Sequence, residues 1–329
     1  MEEAILYIIV CTFFLISAMK LILQTRKQQK KLPPSPPSLP IIGHLHLLKP
    51  PINQTLHHLS QKYGPIISLR FGSRPVLVVS SPSAVEECFT KNDIIFANRP
   101  EFSIGRYVNY NSTTLVAASY GDNWRNLRRI STVEILSSNR LNQFRSIRRD
   151  EVSTLLHWLH KVSCQGFAKV ELRSMFFDLT TNIIMRMAAG KRYYGEDVKE
   201  SAVEEGRKFR EILQEFVECS ELTHLEDLFP ILKWVDYDGF VRKLVRLGQK
   251  VDCFMQGLID EHKIDKDRNT MINHLLSMQE SQPQYDTDEI IKGLILKHQV
   301  YTTHIYVALW IQSSAFRRVF ETKVDKVLP

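Results

Sequence analysis

The sequence lacks any grouping of cysteines that would indicate disulfide bonds or a structural zinc site. Its five cysteines, at positions 11, 88, 164, 219 and 253, stand far apart, without the short spacing of metal-binding pairs. It also lacks interleaved arginine and aromatic residues, and its net charge of +7 over 329 residues is modest. We therefore expect no nucleic-acid partner. No internal repeat is present, and the one segment of biased composition is rich in proline.

One long apolar run lies near the start of the chain. Residues 4–23 contain a single charged residue, Lys20, and twenty helical residues span about 30 Å, the thickness of a bilayer core. Acidic residues precede the run and four basic residues follow it, so the positive-inside rule places the rest of the chain in the cytoplasm. No signal-peptide cleavage pattern is present, so residues 1–25 predict an uncleaved single-pass membrane anchor. The alternative is a buried core helix.

A proline-rich segment follows the basic residues. Five prolines in the eight residues 33–40 exclude a helix and favour a stiff, extended chain. Residues 26–40 therefore predict a basic, proline-rich hinge that holds a domain at a fixed distance from the membrane. The scattered cysteines agree with the reducing cytosol, in which disulfides are rare.

Hydrophobic periodicity after the hinge predicts a mainly α domain with a small β-sheet, an α+β fold. Two apolar runs, 66–71 and 76–79, flank a Gly-Ser-Arg-Pro turn and predict a hairpin. Ser81 and Pro82 have the residue types that begin a helix. Residues 99–120 are polar and rich in turn formers, which predicts a long loop. Helical periodicity is present near 56–63, 123, 140–162, 174–189, 200–219, 238–262 and 286–296.

Several motifs follow the anchor in a fixed order. They are PPSPPSLPIIGHLHLL at 33–48, YGPI at 63–66, FANRP at 96–100 and GDNWRNLRR at 121–129. This ordered set resembles the plant microsomal cytochrome P450s, which are haem-thiolate monooxygenases, and within them the isoflavone and flavonoid hydroxylase-like group. The resemblance covers residues 1–296 and implies the N-terminal portion of that fold behind a single transmembrane helix. It also implies an endoplasmic reticulum membrane location, an NADPH-dependent reductase partner and a hydrophobic, phenylpropanoid-derived substrate.

Trp124 and Arg128 are the predicted cofactor-binding residues. Residues four apart on a helix share one face, the indole offers one N–H donor, and the guanidinium offers a fork of donors that fits a carboxylate. The resemblance implies that both bind the haem propionates, whereas the alternative is a packed tryptophan beside a solvated arginine. Arg125 and Arg129 are interpreted as solvated or as facing the reductase.

The resemblance also implies a substrate pocket. In the family, the loop at 101–118 and the helix around 209–216 would line it. The apolar segment 228–232 would lie near the membrane and the access channel, and its alternative is ordinary core.

Three sequence motifs of the family are absent or stand in the wrong place. No cysteine stands in the pattern F-x-x-G-x-R-x-C-x-G, which carries the axial thiolate, so we predict no metal ligand and no catalytic residue. The string E-x-x-R occurs once, at Glu204–Arg207, before the central helix, and is interpreted as an exposed helix pair. His298 and His304 would face about 120° apart on a helix, which argues against a metal site.

The central helix begins at residue 286, but the sequence changes character at Lys297, where the acid-threonine motif of the family is expected. We therefore expect a truncated catalytic domain at 41–296 and an aberrant tail at 297–329, explained by a shifted reading frame or a retained intron. The expectation is an inactive product that does not bind haem stably. The alternative is a non-catalytic protein of the endoplasmic reticulum membrane, a decoy that binds a reductase or related enzymes.

Overall fold

The structure, a computed structural model, describes residues 12–13, 32–164, 166, 169–196, 198–221, 224–229, 231–232, 236, 238–281 and 288–296. The predicted anchor, apart from residues 12 and 13, and the tail at 297–329 lie outside these ranges. The anchor, the tail and the predicted boundaries at residues 25, 40 and 296 therefore remain predictions. Among the described residues, no helix is both long enough and apolar enough to cross a bilayer.

The described residues form two compact units. One unit contains the residues up to Phe96 together with Thr223–Val235, and the other contains Ala97–Leu222 and the residues from Asp236 onward. The helices run in chain order as α1 Ile52–Tyr63, α2 Pro82–Phe89, α3 Asp93–Phe96, α4 Ser103–Tyr107, α5 Asp122–Arg129, α6 Ser138–Gln143, α7 Arg145–Ser163, α8 Leu172–Ala189, α9 Glu200–Glu221, α10 Leu225–Leu228, α11 Phe240–Ile264, α12 Met271–Ser281 and α13 288–296.

The first unit contains an antiparallel hairpin, as predicted. Strand β1 (Ile66–Phe71) pairs with β2 (Arg74–Val79), and Phe71 lies opposite Arg74. The second strand begins two residues earlier than predicted. Gly72 has a φ of +60° in the turn, a backbone conformation that favours glycine. The turn is held against the end of α10, because the backbone N–H of Ser73 donates to the carbonyl of Leu228 at 2.9 Å.

The core of the second unit lies between long helices. Helix α11 buries residues at helical spacing along one stripe, which is typical of an amphipathic helix facing a core. The ring of Phe209 on α9 stacks on Phe254 of α11 with centroids 4.7 Å apart. Residues 291–296 of α13 are all buried. The fold is mostly helical with a small two-stranded sheet, which confirms the predicted fold class at this level.

Some helices differ from the predicted segments. The segment predicted at 140–162 consists of two helices, α6 and α7, which meet at the buried Phe144. The predicted loop at 99–120 contains the short helix α4. Helices α3, α10 and α12 were not predicted. Helices α3 and α10 have only four residues each, too few to show a helical period, and the eleven-residue α12 was overlooked although it buries Met271, Ile272 and Leu275.

Candidate functional site

The candidate cofactor site is on α5. Leu127 is 2% exposed, and Ile130, where the chain continues into a π-helical turn at Ile130–Ile135, is fully buried. These residues fix the inner face of the helix and direct other side chains outward. Single π-turns are rare and often occur near functional sites.

Trp124 and Arg128 share one face of α5, as their spacing predicted. The guanidinium carbon of Arg128 lies 5.1 Å from the centroid of the Trp124 ring, so the cation stacks on the indole. Trp124 is half-buried beside the ring of Tyr120, at a centroid distance of 5.5 Å, whereas Arg128 is exposed. The indole therefore orients the guanidinium without covering it.

The neighbouring arginines of α5 each have a polar side-chain partner. Arg125 pairs with Asp122, and Arg129 donates to the side-chain oxygen of Asn126 at 3.0 Å. Among the described residues, no carboxylate pairs with the Arg128 guanidinium and no acceptor takes the Trp124 indole N–H. This face thus presents a cation and a neutral N–H donor, a donor set that fits the carboxylates of a haem.

A separate cavity of about 260 Å³ lies in the second unit. Its wall consists of α4 with the residues on either side of it, the C-terminal part of α9, and α13. Most of the wall is apolar. The lining residues are Arg99, Pro100, Phe102, Ile104, Gly105, Asn109, Ser112, Thr114, Val116, Ala117, Phe216, Ser220, Gly293 and Leu296.

The cavity joins the two segments that were expected to line a pocket. The loop at 101–118 contributes most of the wall, and Phe216 contributes from α9. Phe209 belongs to the core and is not part of the lining. Sequence reasoning missed Ser220, Gly293 and Leu296, since nothing in the helical pattern of α9 or α13 distinguishes a residue facing a cavity from one facing the core.

The cysteines within the described residues are free and do not cluster. Cys88 is half-buried, Cys164 and Cys253 are exposed, and Cys219 is buried. Burial raises the pKa of the Cys219 thiol, which disfavours the thiolate that iron requires. Glu204 and Arg207 form an exposed pair at 2.8 Å on α9, as predicted.

Comparisons with known proteins define the family. A cytochrome P450 family profile matches residues 33–297. The chain is 53% identical to cytochrome P450 81E8 of Medicago truncatula over 292 residues, which make up 88% of this chain and 58% of that protein. It is 52% identical to an isoflavone 2′-hydroxylase of Medicago truncatula over 285 residues, or 86% of this chain and 56% of that protein.

A third relative gives the same result. The chain is 50% identical to an isoflavone 3′-hydroxylase of Medicago truncatula over 295 residues, or 88% of this chain and 59% of that protein. The chain therefore belongs to the cytochrome P450 family, in the plant group that resembles isoflavone hydroxylases, and the predicted resemblance is confirmed. It spans less than three fifths of the length of these curated relatives.

Proposed function

We propose that this chain carries haem-propionate contacts and part of the substrate cavity of a monooxygenase that hydroxylates a flavonoid or isoflavonoid. Oxygen and electrons derived from NADPH are the proposed co-substrates. The observation that carries this proposal is the donor face of Trp124 and Arg128, which has no acceptor among the described residues and stands in a chain of the cytochrome P450 family.

The proposed role of this face is to bind and orient the cofactor. Arg128 would pair with a propionate carboxylate, and Trp124 would donate its N–H while stacking beneath the guanidinium. When its iron is bound by a cysteine thiolate, haem supplies the activation of oxygen. No cysteine of this chain stands in the family pattern for that ligand, so we assign no axial residue here.

The proposed substrate follows from the cavity and the relatives. A volume of 260 Å³ lies just below the common range for small-molecule sites, about 300–1,000 Å³. Apolar walls with few polar groups suit a flat, hydrophobic molecule, and two of the relatives are isoflavone hydroxylases. Phe102, Ile104 and Phe216 would contact its rings and exclude water.

A haem titration of the full chain in detergent micelles tests the cofactor assignment. Because no cysteine matches the axial-ligand pattern, we expect haem to bind only weakly, and the double variant Trp124→Phe with Arg128→Gln to lose at least about tenfold of that affinity, since one neutral donor and one charged donor are removed. The matched control is Arg129→Gln, which removes an exposed cation from the same helix. Equal affinity in the double variant and the wild type would contradict the assignment.

We also propose that residues 4–23 anchor the chain in the endoplasmic reticulum membrane and that a reductase binds on the cytoplasmic side. The apolar run and the basic residues after it support this proposal. Extraction of microsomes with alkaline carbonate should leave the chain in the pellet, and added protease should digest the domain without detergent. Release into the supernatant would overturn the anchor.

The alternative function is a non-catalytic membrane protein that binds a reductase or related enzymes. It predicts a folded chain that takes up no haem but co-purifies with the NADPH-dependent reductase. The haem titration and a reductase binding assay on the same preparation therefore separate the two functions.

A further inference from the structure

A buried cation lies next to the wall of the cavity. Lys292 of α13 is 6% exposed, and its neighbour Gly293 lines the cavity. A buried ammonium is costly unless it has a partner. The partner is Asp252 of α11, whose carboxylate oxygen accepts from the lysine Nζ at 2.6 Å.

The same carboxylate also binds the loop that follows α4. The hydroxyl of Tyr110 donates to the Asp252 oxygen that accepts from Lys292, at 3.2 Å, and the Lys292 Nζ lies 6.0 Å from the centroid of the tyrosine ring. Burial and the nearby Asp252 raise the pKa of the Tyr110 phenol, so it remains a donor at physiological pH. One carboxylate thus connects α11, α13 and the loop.

The loop at this point has an unfavourable backbone. Tyr110, Asn111 and Ser112 have φ values of +48°, +56° and +61°, and left-handed residues with a Cβ are disfavoured, especially in succession. The Ser112 N–H donates to the carbonyl of Gly105 in α4 at 2.7 Å, and the Thr113 hydroxyl donates to the carbonyl of Tyr110 at 2.6 Å. The contact of Tyr110 with Asp252 ties this turn to the helices.

A second contact fixes the other end of the same segment. Gly248 lies one turn before Asp252, on the same face of α11, and any Cβ there would overlap the carbonyl of Tyr107. The backbone at the end of α4 therefore rests directly on α11. Between and beside these two contacts lie Asn109 and Ser112, which line the cavity.

We infer that Tyr110, Asp252 and Lys292 form a latch that positions the cavity wall and thereby selects which ligands the cavity admits. Lys292 and Asp252 are positioning residues, since they act on a ligand through Tyr110 and the wall segment 105–117. This inference deepens the proposed function. It rests on that proposal in one respect, because it takes the cavity to be the substrate cavity.

Hydrogen exchange of the full chain in phospholipid nanodiscs tests the latch without any ligand. Tyr110→Phe removes one hydroxyl, and the double variant Asp252→Asn with Lys292→Met removes both charges without leaving a buried cation unpaired. Each should accelerate amide exchange in residues 103–118 by about tenfold while the long helices keep their protection. The matched control is Asp260→Asn, which removes an exposed carboxylate of α11 that accepts from Gln256. It should leave the exchange rates in residues 103–118 unchanged. Unchanged exchange in residues 103–118 in both folded variants would overturn the latch.

Ligand selection is measured by equilibrium dialysis with unsubstituted isoflavone and its larger 7-benzyloxy derivative. We expect the wild type and Asp260→Asn to prefer the smaller compound, and the two latch variants to lose at least about fivefold of that preference because the wall is no longer held in place. An unchanged preference would overturn the role in selection. If the wild type binds neither compound, the substrate assignment fails, whereas the latch is decided by the exchange rates alone.

Discussion

Two charged clusters of the second unit contrast in how their arginines are paired. In the first cluster, Glu151 on α7 is 2% exposed and lies 2.6 Å from a guanidinium nitrogen of Arg186 and 3.0 Å from one of Arg192. In the second, Arg128 stacks on Trp124 and pairs with no carboxylate among the described residues. An arginine side chain therefore stabilises the fold in the first cluster and is available to a ligand in the second. The two roles differ in whether the arginine is paired with a carboxylate and in how exposed it is.

The first cluster is completed by an amide. The side chain of Asn182 donates to Glu151 at 3.1 Å, and its oxygen accepts from the backbone of Tyr193 at 3.1 Å. The buried carboxylate thus connects α7, α8 and the segment after α8. Both oxygens of the Glu151 carboxylate have protein partners, so this carboxylate serves the fold.

The largest effect is expected where the paired cluster is broken. Glu151→Ala should lower the free energy of unfolding by roughly 3 kcal/mol, because Arg192 and the Asn182 amide lose a buried partner, whereas Arg186 keeps its pair with Asp150. Denaturant unfolding of the full chain in micelles measures it. The control is Glu196→Gln, which removes an exposed carboxylate that pairs with the exposed Lys161 at 3.0 Å. We expect it to change the free energy of unfolding by less than about 1 kcal/mol. Equal losses in the two variants would show that burial of the pair does not matter.

A smaller effect is expected at the contact of α11 with α4. Gly248→Ala should destabilise the chain by about 1–3 kcal/mol, since the added methyl group overlaps the carbonyl of Tyr107. Gly257→Ala on the same helix has open space around its Cβ and should stabilise by up to about 1 kcal/mol through helix propensity. Thermal unfolding compares the two variants, and the same sign for both would contradict the close contact.

The ion pair of Asp178 on α8 and Arg210 on α9 is intermediate between the two clusters in its exposure to solvent. Burial raises the pKa of Asp178 to about 6, although Arg210 opposes the shift. The Asp178 carboxyl therefore binds a proton more tightly in the folded state than in the unfolded state. Its contribution to the free energy of unfolding is fully present below about pH 4 and is lost as the pH rises to about 6. Because the Asp178 side chain is about one-third exposed, we expect a loss of only about 1 kcal/mol.

Asp178→Asn tests this pH dependence. The free energy of unfolding of the variant should lack that decline, so the difference between the variant and the wild type should change between about pH 4 and about pH 6 and stay constant above. Unfolding curves at a series of pH values measure this difference. A constant difference across the whole range would contradict the raised pKa.

The smallest effect on stability is expected at the unpaired arginine. Arg128→Gln should change the free energy of unfolding by less than about 0.5 kcal/mol, since an exposed side chain without an acid partner loses little. The measurement is denaturant unfolding without haem. A loss comparable to that of Glu151→Ala would mean that Arg128 serves the fold.

Local patterns explain what could be predicted from the sequence. The hairpin follows from two apolar runs around Gly72, and the start of α2 follows from Ser81, whose hydroxyl accepts from the backbone of Ala84. The shared face of Trp124 and Arg128 follows from their spacing of four residues. Each of these features depends on residues close together in the chain.

Long-range packing explains what could not be predicted. Lys292 has the residue type of an exposed helix position, and its partner Asp252 lies 40 residues away. Glu151 and Arg186 are 35 residues apart, and no local pattern indicates that the carboxylate is buried. The left-handed turn at Tyr110 contains no glycine, and the single Asn111 is too weak a signal to predict three left-handed residues in succession.

The donor face of α5 is proposed to bind the carboxylates of a porphyrin. The most direct measurement compares the affinities of the full chain for protoporphyrin IX and for its dimethyl ester, neither of which contains iron, so that no axial ligand contributes. We predict that the free acid binds at least about tenfold more tightly, since only it offers carboxylates to a guanidinium, and that Arg128→Gln removes most of this difference. Equal affinities for the acid and the ester in the wild type would contradict the claim.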